Sequence, residues 1–165
     1  MALERVWKGL LVVAAVALAA AMVVQLGVVA TPWSEDRAAV RVLDDGGEPT
    51  AVVDVEIADT LADRYTGLSD HDSLADGEGM LFVHGSEDER TYVMRGMDFG
   101  IDIVFIGADR EITTIHSAPE PGSDEDGEDQ EYTGEGRWVL EVPIGYADEN
   151  GIDVGDKVEI ETGDD

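Results

Sequence analysis

From about residue 38 onward the chain is written as short β-branched and aromatic runs cut apart by clusters of Gly, Asp and Ser. That punctuation constrains the fold more than any other feature. Residues 38–43 (AAVRVL) and 51–57 (AVVDVEI) flank Asp44-Asp45-Gly46-Gly47 and read as strand, turn, strand. Further runs at 80–84, 91–94, 101–106, 111–115, 137–142 and 157–161 have the same character. Thr60 is placed to cap a short helix that Gly67 ends, and Asp63 sits at its acidic third position, too short for a full reciprocal capping box. Pro143 followed by Gly151 brackets a second short helix. The expectation is a mainly β fold, a compact antiparallel barrel or sandwich of jelly-roll-like type with one or two short helices.

Residues 9–30 are a separate matter. This run of 22 residues has Gln25 as its only strongly polar side chain, and as a helix it reaches about 33 Å, enough for a hydrocarbon core of about 30 Å. Arg5 and Lys8 precede it, and Trp33, Glu35 and Asp36 follow. The positive-inside bias then keeps the N-terminus cytoplasmic and puts the rest outside. Residues 1–33 are therefore expected to form a single transmembrane signal anchor, and residues 34–165 an extracytoplasmic domain. Secretion after signal cleavage at the small residues near Ala30 is the alternative.

The 38 acidic residues against 10 basic ones give a formal charge of −28. They are scattered among apolar positions, and only Lys8 and Lys157 are lysines. The excess reads as a folded surface adapted to concentrated, screening salt, which speaks against nucleic acid as a partner. With no Cys, disulfides, thiolate metal sites and thiol nucleophiles are excluded. Residues 119–132 (PEPGSDEDGEDQEY) offer almost nothing to bury and are expected to be a mobile acidic loop. Asp124, Asp126 and Glu128 have the alternate spacing of a calcium loop, but Asp129 stands where the turn needs Gly. His71, His84 and His116 show no metal-ligand spacing. No metal and no cofactor is expected, and no nucleotide-binding or hydrolase motif occurs.

Three blocks resemble a known family. Val55-Glu56-Ile57-Ala58-Asp59-Thr60 runs on to Arg64, Gly67 and Leu68. Gly79-Met80-Leu81-Phe82 follows, and then Tyr92-Val93-Met94-Arg95-Gly96-Met97 with Asp102-Ile103-Val104-Phe105-Ile106. In order and spacing these are similar to the family catalogued as domain of unknown function 192, small bacterial and archaeal proteins often exported or carrying an N-terminal hydrophobic segment. The ending, from Tyr132 through Gly134 and Arg137 to Gly151-Ile152-Asp153-Val154-Gly155-Asp156, is similar too, so the likeness spans about residues 50–160. The chain reads as a haloarchaeal-type member. Val93, Gly96 and Gly100 stand where the family pattern has Trp, Asn and Pro. The resemblance implies a compact β-rich fold and no established reaction.

Asp102 interrupts an apolar strand and would need a partner if buried, with Arg64 and Arg95 as the candidates. The two readings are a structural ion pair, or a binding pocket in which an Arg holds the ligand and Tyr92 and Met94 form the floor. The candidate ligand-binding residues are therefore Arg64, Arg95, Asp102, Tyr92 and Met94, although Tyr92 and Met94 also suit plain core. Catalytic residues are not assigned. The expected function is a non-catalytic module at the outer membrane face, anchored in the bilayer through residues 9–30 and binding a small ligand or an envelope protein. The alternatives are an extracytoplasmic hydrolase of an envelope polymer or carbohydrate, with Glu56 and Asp102 as acid and base, and a structural accessory subunit.

Overall fold

The computed structural model describes residues 37–162. The expected transmembrane segment lies outside the described residues, among which no helix is long and apolar enough to cross a membrane. Seven strands form one curled sheet: β1 (Arg37–Leu43), β2 (Pro49–Ala58), β3 (Glu78–Val93), β4 (Ile101–Ile106), β5 (Ile112–Ala118), β6 (Glu131–Pro143) and β7 (Lys157–Thr162), in the order β5-β4-β6-β3-β2-β1-β7. Two short helices interrupt them, α1 (Leu61–Thr66) and α2 (Tyr146–Glu149). Edge strands β5 and β7 approach at one corner, where Ile112 donates to the Asp156 carbonyl at 2.9 Å and Val158 to that of Arg110 at 2.8 Å. The result is a partly closed barrel.

The mainly β expectation holds, with two corrections. There is one continuous sheet rather than a two-sheet, jelly-roll-like sandwich, and β2 pairs with β3 in parallel. The connection through α1 and the following 3-10 turn (Gly67–Asp70) is long enough to carry the chain back to the same end. The runs at 80–84 and 91–94 also prove to be one strand. β3 stays paired with β6 along its length, with a register shift between Val83 and Asp88.

The first turn forms as its residues dictate. Asp44 Oδ1 accepts the amides of Gly46 (2.8 Å) and Glu48 (3.0 Å), and Gly47 takes a φ of 78° that a side chain would strain. Thr60 accepts the amide of Asp63 at 3.1 Å, while the Thr60 hydroxyl donates to the Asp63 carboxylate, so no bond returns to the backbone of Thr60.

Both faces of the sheet centre are covered, which is why every residue of β4 is buried. Inside the curl lies a cluster that includes Val40, Val53, Leu81, Val104, Ile106 and Leu140. Across the sheet a second cluster includes Leu68, Met80, Phe82, Met97, Ile103, Phe105 and Val139, with the 3-10 turn and the segment after β3 contributing Leu68, Met94 and Met97. Side chains alternate along a strand, so Asp102 shares the inner face with Val104 and Ile106, while Glu141 shares the outer face with Val139.

The acidic segment at 119–132 is fastened in its middle and at its end. Gly127 is buried, its carbonyl accepts the Met94 amide at 2.9 Å, and Glu131 and Tyr132 already belong to β6.

Candidate functional site

A cavity of about 390 Å³ opens where α1, the 3-10 turn and the end of β3 meet the outer face of the sheet. Its wall carries Arg64, Arg90 and Arg95. Phe82, Leu68, Met97 and Ile101 supply apolar surface, and His84, Glu89, Tyr92 and Glu141 are among its polar groups.

Each arginine is held by backbone carbonyls. Nη1 of Arg64 donates to the carbonyl of Val83 at 2.9 Å and also to that of Asp59, crossing from α1 to β3 and to the residue that follows β2. Arg90 donates from Nε to Gly136 at 3.0 Å and from Nη2 to Ser86 at 2.6 Å. Arg95 donates to the carbonyl of Tyr65, lies 4.0 Å above the Tyr65 ring and pairs at 3.6 Å with Glu128. These bonds fix the orientation of the guanidinium groups without neutralising Arg64 or Arg90.

Tyr92 stands on β3 with Phe82 and Phe105 edge-on to its ring, at centroid distances of 5.1 and 5.8 Å. Its hydroxyl lies 2.9 Å from Nε2 of His84. Burial, then Arg90 and Arg64, push the His84 pKa down to about 4, and burial and Glu141 push that of Tyr92 up. Both are therefore neutral near pH 7, and they share one hydrogen bond between the Tyr92 oxygen and Nε2.

Glu141 is 5 % exposed and makes no hydrogen bond or ion pair with any described residue. Burial alone pushes its pKa up to about 8, so it is mostly a neutral carboxylic acid at pH 7. A protonated carboxyl is an uncommitted hydrogen-bond donor facing a cavity.

Of the residues expected from the sequence, Arg64, Arg95 and Tyr92 line this cavity. Met94 does not; it is fully buried in the outer core cluster. Asp102 lies through the sheet on the inner face. Its Oδ1 accepts from the Ser117 hydroxyl at 2.8 Å and its Oδ2 from the Ala147 amide at 3.0 Å, so it pairs with neither arginine. Alternation is the reason: the arginines approach the outer face, and Asp102 points to the inner one. Glu56 faces away from the inner core and pairs with Arg37 at 3.5 Å and His71 at 3.4 Å, so Glu56 and Asp102 do not form an acid and base pair.

Sequence reasoning missed Glu141, His84, Arg90 and Phe82. Glu141 had the same signal as Asp102, a carboxylate within an apolar run, Val139-Leu140-Glu141-Val142. Arg90 and His84 had none, because their meeting depends on the course of β3 through its register shift. Among the described residues no group of three His, Asp or Glu is placed to hold a metal ion.

The family model DUF192, described as an uncharacterized ACR, matches residues 41–160. The chain belongs to the DUF192 family. It is similar to two solved structures. One, from Sinorhizobium meliloti 1021, is a proposed transcription regulator, 27% identical, with 74% of this chain and 92% of that one covered at a TM-score of 0.66. The other, from Novosphingobium aromaticivorans DSM 12444, is a protein of unknown function, 32% identical, with 74% and 84% covered at a TM-score of 0.65. No curated protein matches the chain. Within this DUF192 domain the cavity's arginines, at positions 64, 90 and 95, all lie inside the matched span.

Proposed function

We propose that the domain is a ligand-binding module whose cavity takes a small organic anion with an apolar body, presented outside a cell membrane by an anchor at residues 9–30. One observation carries this reading. The described residues contain eight Lys and Arg, and three of them converge on one cavity in a protein with 38 carboxylates. Elsewhere on the domain Arg37, Arg41 and Lys157 pair with single carboxylates, Glu56, Glu161 and Glu111, while Arg110 and Arg137 stack on the Trp138 ring. In the cavity Arg64 and Arg90 are held by carbonyls and keep their charge for a visitor, while Arg95 is shared with Glu128, and the apolar wall suits the ligand's remainder. Location rests on the sequence alone, from the length of the apolar run and the placement of Arg5 and Lys8 before it.

The test is a titration of the full-length chain in mild detergent with benzoate, and with benzyl alcohol as the uncharged control, at several KCl concentrations. Saturable binding of benzoate, weakening with salt and falling about tenfold or more in Arg90→Gln, supports the reading. Equal binding of benzyl alcohol, or none of benzoate at any salt, overturns it. Labelling of the domain on intact cells by a membrane-impermeant reagent tests the location.

A further inference from the structure

We propose that Glu141 is the specificity-determining residue of this cavity, acting as a carboxylic acid that donates its proton in a hydrogen bond to a ligand oxyanion, a carboxylate or a phosphate. The inference rests on the reading that the cavity binds anions, and adds which atom recognises the anion and in which protonation state.

The geometry leaves Glu141 free to bond a ligand alongside the arginines. Glu141 stands on β6 with its carboxyl on the outer face, its strand neighbours being Met80 on β3 and Ile103 on β4, both buried and apolar. From β3 the charged or titratable groups that face the cavity are His84, Glu89, Arg90 and Tyr92; from α1 come Arg64 and Tyr65, and from the segment after β3 Arg95. His84 and Tyr92 satisfy one another at 2.9 Å. Neither Arg64 nor Arg90 bonds to Glu141, and the hydrogen bonds they do make engage Nη1 of Arg64 and Nε and Nη2 of Arg90. Glu141 is left with its carboxyl at the cavity wall and no hydrogen-bond partner among the described residues, so what enters the cavity is what it can bond.

An ionised carboxylate there would repel an anion. The neutral acid, which burial favours with its pKa pushed up to about 8, does the reverse. An O–H donor to an oxyanion is among the stronger hydrogen bonds available to a protein. Arginine N–H groups on one side and the Glu141 O–H on the other would hold two oxygens of one carboxylate or phosphate. Because only the protonated form binds, ligand and proton bind together, and each favours the other.

The experiment titrates the full-length wild type and Glu141→Gln with benzoate and with phenyl phosphate from pH 6.5 to 9.5 at fixed KCl. The wild-type Kd for benzoate should be flat at the low end and rise about tenfold per pH unit above the Glu141 pKa, while Glu141→Gln binds with a flat profile. Tighter binding of benzoate or of phenyl phosphate assigns the head group. Should Glu141→Gln fail to fold, the carboxyl carbon signal of Glu141 in the wild type decides: its titration midpoint should move up when benzoate is bound. Equal, flat profiles in the two proteins, or a midpoint that benzoate does not move, overturn the role of Glu141 and leave the anion cavity standing. No saturable binding of either anion to either protein at any pH overturns both.

Discussion

Ala147, at the start of α2, donates its backbone N–H to Oδ2 of Asp102 at 3.0 Å, tying β4 to a helix 45 residues further on. Asp102 is 1 % exposed and its other oxygen takes the Ser117 hydroxyl, so the carboxylate is a structural fastener between β4, β5 and α2. Asp102→Ala leaves that amide and hydroxyl without a partner and should cost about 2–3 kcal/mol in a denaturant titration in concentrated KCl. The Arg64→Ala change acts on the opposite face. The double variant should lose the sum of the two single losses to within about 0.5 kcal/mol, whereas a buried Arg64–Asp102 bridge would make them strongly non-additive.

Glu141 and His84 give stability a particular pH dependence. Burial lifts Glu141 from 4.5 to about 8, and burial with Arg90 and Arg64 lowers His84 from 6.5 to about 4. Between about pH 6.5 and 8 the folded chain holds a Glu141 proton that the unfolded chain has released. Stability therefore falls as pH rises and levels off above 8. Below 6.5 unfolded His84 takes up a proton that the folded ring refuses, a loss that cancels the continuing gain from Glu141, so these two groups leave stability nearly flat between about pH 4.5 and 6.5. Denaturant titrations should show a loss of roughly 2 kcal/mol from pH 6.5 to 8, absent in Glu141→Gln.

Gly127 and Met94 meet backbone to backbone. A Cβ on Gly127 would stand 2.1 Å from the Met94 carbonyl oxygen, so Gly127→Ala must pry the acidic segment from the end of β3. A loss of about 2 kcal/mol or more is expected. Faster hydrogen exchange of the Met94 amide, which bonds to Gly127 at 2.9 Å, would report the same opening.

Lys157 and Glu111 bridge the two sheet edges at 2.8 Å, but both side chains are about half exposed. Backbone bonds beside them, such as Ile112 to Asp156 and Val158 to Arg110, carry the closure. Lys157→Met should therefore leave the denaturant midpoint nearly unchanged, the more so as KCl is raised.

A good deal of this was legible locally. The turn at Asp44 to Gly47 and the cap at Thr60 depend on neighbours within four residues, and both form as the sequence predicts. So does the strand at 101–106, with the same limits as β4. The order and spacing of three sequence blocks were also enough to place the chain in its family. Asp102 was visible as a carboxylate that had to be bonded, because an apolar strand surrounds it whatever the fold. Its partners were not, because Ser117 and Ala147 reach it only through the pairing of β4 with β5 and the return of the chain after β6.

The sequence by itself determined the β character, the turn and cap chemistry, and which polar side chains sit in apolar strands, since alternation and capping act over a few residues. Only the tertiary structure decided which face each of those side chains occupies relative to the others. Alternation sets faces within one strand; between strands the relation depends on register, and here on the shift between Val83 and Asp88 and on the parallel pairing of β2 with β3. That register gathers Arg64, His84, Arg90, Tyr92 and Glu141 around one cavity and sends Asp102 to the other side of the sheet.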